Sequence, residues 1–150
     1  MDILLELLKY SSIAVSVTLP SFGAIIGMSW SMPAISGAGT EKPESISRNL
    51  YSVILAEALA IYGVIVGLLL IFKMDSITTF PSAVSALSAG LTVGLATLAA
   101  GFGIGVCGRS VATASARRPE VTTKLLLGVI LSEAIGIYGL IAALLLVFRI

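Results

Sequence analysis

LAEALAIYGVIVGLLLIFK, from Leu55 to Lys73, and LSEAIGIYGLIAALLLVFR, from Leu131 to Arg149, are one pattern written twice. They align without a gap at an offset of 76 residues, which sets Glu57 on Glu133, Tyr62 on Tyr138 and Lys73 on Arg149. The correspondence continues upstream, where Pro43-Glu44 falls on Pro119-Glu120 and Gly27 on Gly103. A bilayer core about 30 Å thick takes roughly 20 apolar helical residues per crossing, so each copy reads as a membrane span with a carboxylate near its middle.

Outward from this pair, the rest of the chain has the same character. Of its 150 residues, 57% are hydrophobic and 11% charged, with a mean hydropathy of +1.09, far from the averages of soluble domains. Four apolar stretches are long enough to cross: Ser11 to Ser36, Leu50 to Phe72, Val84 to Ser110 and Leu125 to Phe148. The opening Met1 to Tyr10 carries Asp2, Glu6 and Lys9 in place of a basic leader, so the first stretch is expected to be a span and not a cleaved signal. Pro20 and Pro33 predict a kinked or imperfect first helix whose freed carbonyls need neighbours. A net charge of +1 without histidine gives no case for a nucleic-acid partner or for imidazole chemistry. The single Cys107 lies in a Gly-rich apolar run, away from any metal-ligand spacing, and reads as a packing residue. No metal or other cofactor is expected.

The fold class is therefore all-α integral membrane, with four transmembrane helices arranged as two parallel-repeat hairpins, residues 1–80 and 81–150. The first-to-second connection holds Lys42 and Arg48, and the third-to-fourth holds Arg109, Arg117, Arg118 and Lys124. The opposite side has only Lys9, Lys73 and Arg149. By the positive-inside rule both hairpin loops are cytoplasmic, and the termini and the link from Asp75 to Pro81 are lumenal or exterior. A hairpin duplicated in one orientation places equivalent faces side by side, and such head-to-tail contacts close into a ring when the rotation permits. Glycines cluster in the first and third spans, including Gly23, Gly27, Gly90, Gly94, Gly101 and Gly105. Small residues let backbones approach, so these two helices are expected to form an inner layer with the second and fourth outside it.

Ionisable groups at mid-membrane are costly and mark functional sites by default. The residues three or four positions from Glu57 are Val53, Ile54, Ala60 and Ile61, and those around Glu133 are Val129, Ile130, Gly136 and Ile137. No cation or amide shares either face. Desolvation then favours the neutral acid in lipid, and a carboxyl that ionises only where water or a cation reaches it is a proton carrier. A lone glutamate is also explained by helix packing. Two at equivalent positions argue for carriage. Tyr62 and Tyr138 follow their glutamates by five residues, an angular step of about 140°, so neither shares its carboxylate's face. Each is either a hydrogen-bond partner for a neighbouring subunit or a packing residue. Ser132 adjoins Glu133, and Ser16, Thr18, Thr92 and Thr97 in the partner spans are hydroxyls that a sodium site would use. No asparagine or glutamine lies in the apolar core of any span, which favours protons over sodium.

These residues carry a resemblance. Across all four spans the chain resembles the proteolipid subunits of vacuolar-type rotary ATPases. RNLYSVILAEALAIYG, from Arg48 to Gly63, and GLTVGL, from Gly90 to Leu95, are similar to the c-double-prime proteolipid, whereas KLLLGVILSEAIGIYGLIAALLL, from Lys124 to Leu146, is more similar to the last span of the ordinary c proteolipid. The resemblance makes Glu133 the carrier of the c pattern and Glu57 that of c-double-prime. The ordinary c proteolipid has no carboxylate at the position of Glu57, and c-double-prime usually has its second one near Val129. The mark in the first hairpin leans toward c-double-prime, with the ordinary c proteolipid as runner-up.

The resemblance implies a rotor ring in the membrane sector of a V-type ATPase, in a vacuolar or other acidic endomembrane. Its implied partners are further proteolipid subunits, a stator subunit supplying an arginine, a central-stalk subunit at the cytoplasmic loops, and membrane lipid. The chain itself has no phosphate loop and no second catalytic group beside either glutamate, so it is expected to be a non-catalytic subunit. The alternatives are a sodium-carrying rotor subunit and a small proton-coupled four-helix secondary transporter. The latter needs an aromatic-lined cavity, and the only tryptophan, Trp30, lies near a span end.

Overall fold

The computed structural model describes residues 2–150, with Met1 and the side chain of Asp2 outside the described set. Helix α1 spans Asp2–Glu41, a short α2 spans Ile46–Asn49, and α3 spans Tyr51–Phe72. Helix α4 spans Phe80–Arg117 and α5 spans Thr122–Val147. Four segments are long and apolar enough to cross a membrane, with α2 and α3 forming one of them. In lipid every backbone polar group must be satisfied within the protein, and continuous helices achieve this.

The helices overrun the apolar stretches at the loop end, and local chemistry explains where they stop. Lys42 and Arg118 each precede a proline, and a residue before proline is pushed out of the helical region. Lys42 has φ −140° and ψ 88°, and Arg118 has φ −136° and ψ 87°. Each is followed by a single 3₁₀ turn, Pro43–Ser45 and Pro119–Val121. The two hairpin loops are thus the same turn built twice, 76 residues apart. At the opposite end, Thr79 caps α4 through a reciprocal pair of hydrogen bonds with Ser82.

Helix α1 runs through Pro20 and Pro33 without breaking. Pro20 cannot donate to the carbonyl of Ser16. That carbonyl instead lies against Gly63 of α3, close enough that a Cβ on Gly63 would collide with it.

α1 packs along α4, α3 lies against α1, and α5 lies against α4. α3 also touches α4 and α5. This gives two layers, α1 with α4 and α3 with α5. Glycines set the spacing of the first layer. A Cβ on Gly23 would come to 2.5 Å from the Thr97 carbonyl oxygen, and one on Gly101 would strike the backbone of Gly23. Lipid tails are as apolar as leucine, so close packing of this kind must hold the helices together.

Contacts within the two hairpins repeat at the sequence offset. A Cβ on Gly27 would meet Ala56, and one on Gly103 would meet Ser132, the residue 76 positions after Ala56. Gly63 lies against Ser16 and Pro20, and Gly139 against Thr92 and Ala96, again 76 residues on. Two buried hydroxyls in the first layer bond to their own helix: Ser12 donates to the Lys9 carbonyl at 2.6 Å and Ser16 to that of Ile13 at 2.8 Å. At the loop end Asn49 Nδ2 donates to Ser115 Oγ at 2.8 Å, tying α2 to α4 in a buried setting.

Candidate functional site

Glu133 stands in the middle of α5, and its residue is 8% exposed. The parallel layer places α3 beside it, and the Tyr62 hydroxyl on α3 donates to its Oε1 in a short hydrogen bond. Leu59, one turn before Tyr62, is fully buried against the Gly136 position, one turn after Glu133. Val129 closes the other flank and is also fully buried. The carboxyl therefore sits in an apolar enclosure with one polar partner, and that partner comes from the other hairpin.

Glu57 is placed differently. Although it occupies the equivalent position in α3, it is exposed on the surface of the single chain. Tyr138, the counterpart of Tyr62, is 66% exposed. The two glutamates, alike in the sequence, thus have different surroundings: the first hairpin covers the second hairpin's glutamate, and none of the described residues covers Glu57.

Ser132, the residue considered as a support for the carboxylate, adjoins Glu133 but makes no hydrogen bond to it among the described residues. Its hydroxyl donates to the Gly128 carbonyl at 2.8 Å and lies 4.0 Å from Cys107 Sγ. It is turned along its own helix, as are the other hydroxyls weighed for a sodium site. Thr18 donates to Ala14, Thr92 to Ser88 and Thr97 to Val93, at 2.8, 2.7 and 2.7 Å. In an apolar helix this back-bonding is the local way to satisfy a hydroxyl. Trp30 stacks edge-on against Phe102 with ring centroids 4.9 Å apart.

A signal for the Tyr62–Glu133 pairing was present in the sequence. The angular step of about 140° turns each tyrosine away from its own glutamate, and parallel repeats set neighbouring outer helices at similar depth. Which of the two tyrosines finds a carboxylate within the chain required the packing.

The family of the ATP synthase C subunit matches residues 12–70 and again 87–146, one match per hairpin. The chain belongs to this family. Among individual members, it is 36% identical over 132 residues to the 16 kDa proteolipid, or c subunit, of the V-type proton ATPase of Rattus norvegicus, covering 87% of this chain and 84% of that protein. It is 35% identical over 133 residues to the c subunit of the V-type proton ATPase of Candida tropicalis, covering 89% and 83%. It is 37% identical over 133 residues to a 16 kDa proteolipid of the V-type proton ATPase of Entamoeba dispar, covering 88% and 76%. For a member of this family, the enclosed mid-span carboxyl of Glu133 is the group with the most distinctive surroundings.

Proposed function

We infer that the chain is a proton-carrying proteolipid of the membrane rotor ring of a V-type ATPase, with residues 1–80 and 81–150 as its two hairpin units. The observation that carries this reading is Glu133, a carboxyl at mid-span enclosed by apolar side chains and held by one tyrosine hydroxyl. Relatives covering most of the chain bear the names of V-type proton ATPase proteolipids, which supports the same reading.

The physical cycle follows from the enclosure. In lipid the neutral acid is favoured, so a protonated Glu133 travels with the ring. When a cation arrives, the carboxylate becomes the favoured form and the proton leaves. That cation belongs to a stator subunit, because the arginines of this chain, Arg48, Arg109, Arg117, Arg118 and Arg149, all lie away from mid-span. Tyr62 supplies a hydroxyl that donates to the carboxylate and accepts from the acid, so it serves both states. The turn of hydroxyls along their own helices supports a proton as the cargo over sodium.

The protein acts without catalysing hydrolysis. The basic loop groove lined by Arg109, Ser110, Thr113 and Arg117 suits an acidic central-stalk partner on the cytoplasmic side, with the termini lumenal in a vacuolar or other acidic endomembrane. The test is ATP-driven proton uptake by membranes in which every copy of this proteolipid has Glu133→Gln. Assembled complexes that no longer pump support the reading. Assembled complexes that pump at the normal rate refute it.

A further inference from the structure

At the loop end the two hairpins of one chain enclose a cavity of about 180 Å³. Lys42, Glu44, Ser45 and Arg48 line it from the first hairpin, and Ser115 and Thr122 from the second. Ser45, Ser115 and Thr122 are buried, with 7%, 1% and 2% of their surface exposed. The Ser45 hydroxyl has no hydrogen-bond partner among the described residues, and a buried polar group in that state is rare enough to call for a ligand or ordered water. Among the same residues the one ion pair joins Lys9 to Glu6, so neither Lys42 nor Arg48 is paired with Glu44. We propose that this cavity binds a single phosphate group, held by Lys42, Arg48 and the Ser45 hydroxyl. The site does not depend on the rotor reading, because the cavity is built within one chain.

The repeats show that the turn itself does not require this polarity. Lys42, Glu44 and Arg48 have charged counterparts 76 positions on, Arg118, Glu120 and Lys124. Ser45 and Asn49 correspond instead to Val121 and Leu125, and Ser115 and Thr122 correspond, 76 positions back, to Gly39 and Ile46. Gly39 and Ile46 meet in an apolar contact, since a Cβ on Gly39 would come to 2.6 Å from the Ile46 side chain. The same proline-led turn is thus built with an apolar set, and the hydroxyl and amide side chains at this one joint are not needed to form it. Asn49 adds to the excess of polar groups there: its Nδ2 bonds Ser115 at 2.8 Å, and its Oδ1 has no partner.

Charge and size point to phosphate. The Arg48 guanidinium and the Lys42 ammonium both suit a phosphate oxyanion, and a serine hydroxyl donates to one in a charge-assisted hydrogen bond. Thr122 opens α5, and the start of a helix favours an anion. Glu44 opposes these groups, but two cations against one carboxylate leave the lining positive. The volume lies below the roughly 300 Å³ at which drug-sized ligands are held, which suits one phosphate group and leaves no room for a nucleoside beside it. Two sources carry this chemistry to the end of a membrane bundle: inorganic phosphate in solution and the phosphomonoester of an inositol lipid headgroup.

The test is thermal unfolding of the full chain, purified from its membranes in mild detergent, with potassium phosphate titrated against potassium chloride of equal ionic strength. Inorganic phosphate is expected to raise Tm in the manner of a ligand bound to the folded state alone. Without phosphate, Ser45→Ala is expected to melt no lower than the unmodified protein, since it removes an unpartnered hydroxyl. With phosphate, the same variant should bind about tenfold more weakly, the loss of one hydrogen bond to a charged group. Arg48→Gln should weaken binding at least as much, Glu44→Gln should tighten it, and Lys124→Gln, at the counterpart of Arg48, should leave it unchanged. A second arm replaces inorganic phosphate by phosphatidylinositol bisphosphate in mixed micelles, with phosphatidylcholine as the blank. A Tm shift with inorganic phosphate assigns the group to solution, and a shift with the inositol lipid alone assigns it to a headgroup; either supports the site when Ser45→Ala and Arg48→Gln abolish or weaken it. No shift in either arm overturns the proposal, as does a shift whose affinity is the same in Ser45→Ala or Arg48→Gln as in the unmodified protein.

Discussion

The Tyr62 hydroxyl on α3 donates to the Glu133 carboxylate on α5, so the two hairpins of one chain share a single buried polar contact at mid-membrane. Removing the hydroxyl leaves the carboxyl without a partner, a loss of about 0.5–1.5 kcal/mol for the neutral acid and about twice that for the carboxylate. Tyr62→Phe is expected to assemble, to pump more slowly than the unmodified protein, and to label faster with carbodiimide at Glu133. Unchanged pumping and labelling would show that the hydroxyl does not hold the carboxylate. The ordering of variants also matters, since Glu133→Gln should be the more severe of the two.

Ser132 is the natural control. Its hydroxyl is committed to the Gly128 carbonyl at 2.8 Å, so Ser132→Ala is expected to leave proton uptake within about twofold of normal, the span of a few tenths of a kcal/mol. A strong loss, or a sodium dependence of uptake that Ser132→Ala abolishes, would mean that the hydroxyl turns to the carboxyl in the working state.

Glycines at helix contacts and glycines in open space should respond oppositely to the same substitution. A methyl on Gly101 would strike the Gly23 backbone, whereas one on Gly37 meets nothing within 4 Å. Gly101→Ala should force α1 from α4 and lower stability by about 1–3 kcal/mol. Gly37→Ala should leave it equal or slightly higher. Thermal denaturation in mild detergent reads the difference, and equal melting of the two variants would contradict the close α1–α4 approach.

Asn49 and Ser115 join the loop ends of the two hairpins at 2.8 Å, and both residues are 1% exposed. A double-mutant cycle with Asn49→Ala and Ser115→Ala should give a coupling of about 1 kcal/mol in denaturant unfolding. Leu125 holds the position equivalent to Asn49 in the second hairpin, so this tie belongs to one repeat only. Additive single mutants would count against it.

Much of the architecture is legible in the sequence. Hydropathy and length determine four crossings, since a helix is the economical way to bury a backbone in lipid. The 76-residue offset determines that the hairpins are copies in one orientation, and the recurring loop turns at Lys42 and Arg118 follow from a proline placed next in each. The mid-span carboxylates Glu57 and Glu133 were also visible, because an ionisable group between apolar interfaces stands out in any reading. What periodicity could not decide was asymmetry. Two equivalent motifs in one chain have only one joint between them, so one glutamate is enclosed and the other left on a flank, and only tertiary packing says that Glu133 is the enclosed one. The same holds for the tyrosines and for Ser132. Spacing gives the angle at which a side chain leaves its helix, but which neighbour stands there, and whether a hydroxyl prefers that neighbour to its own backbone, depends on how closely the glycines let the helices meet.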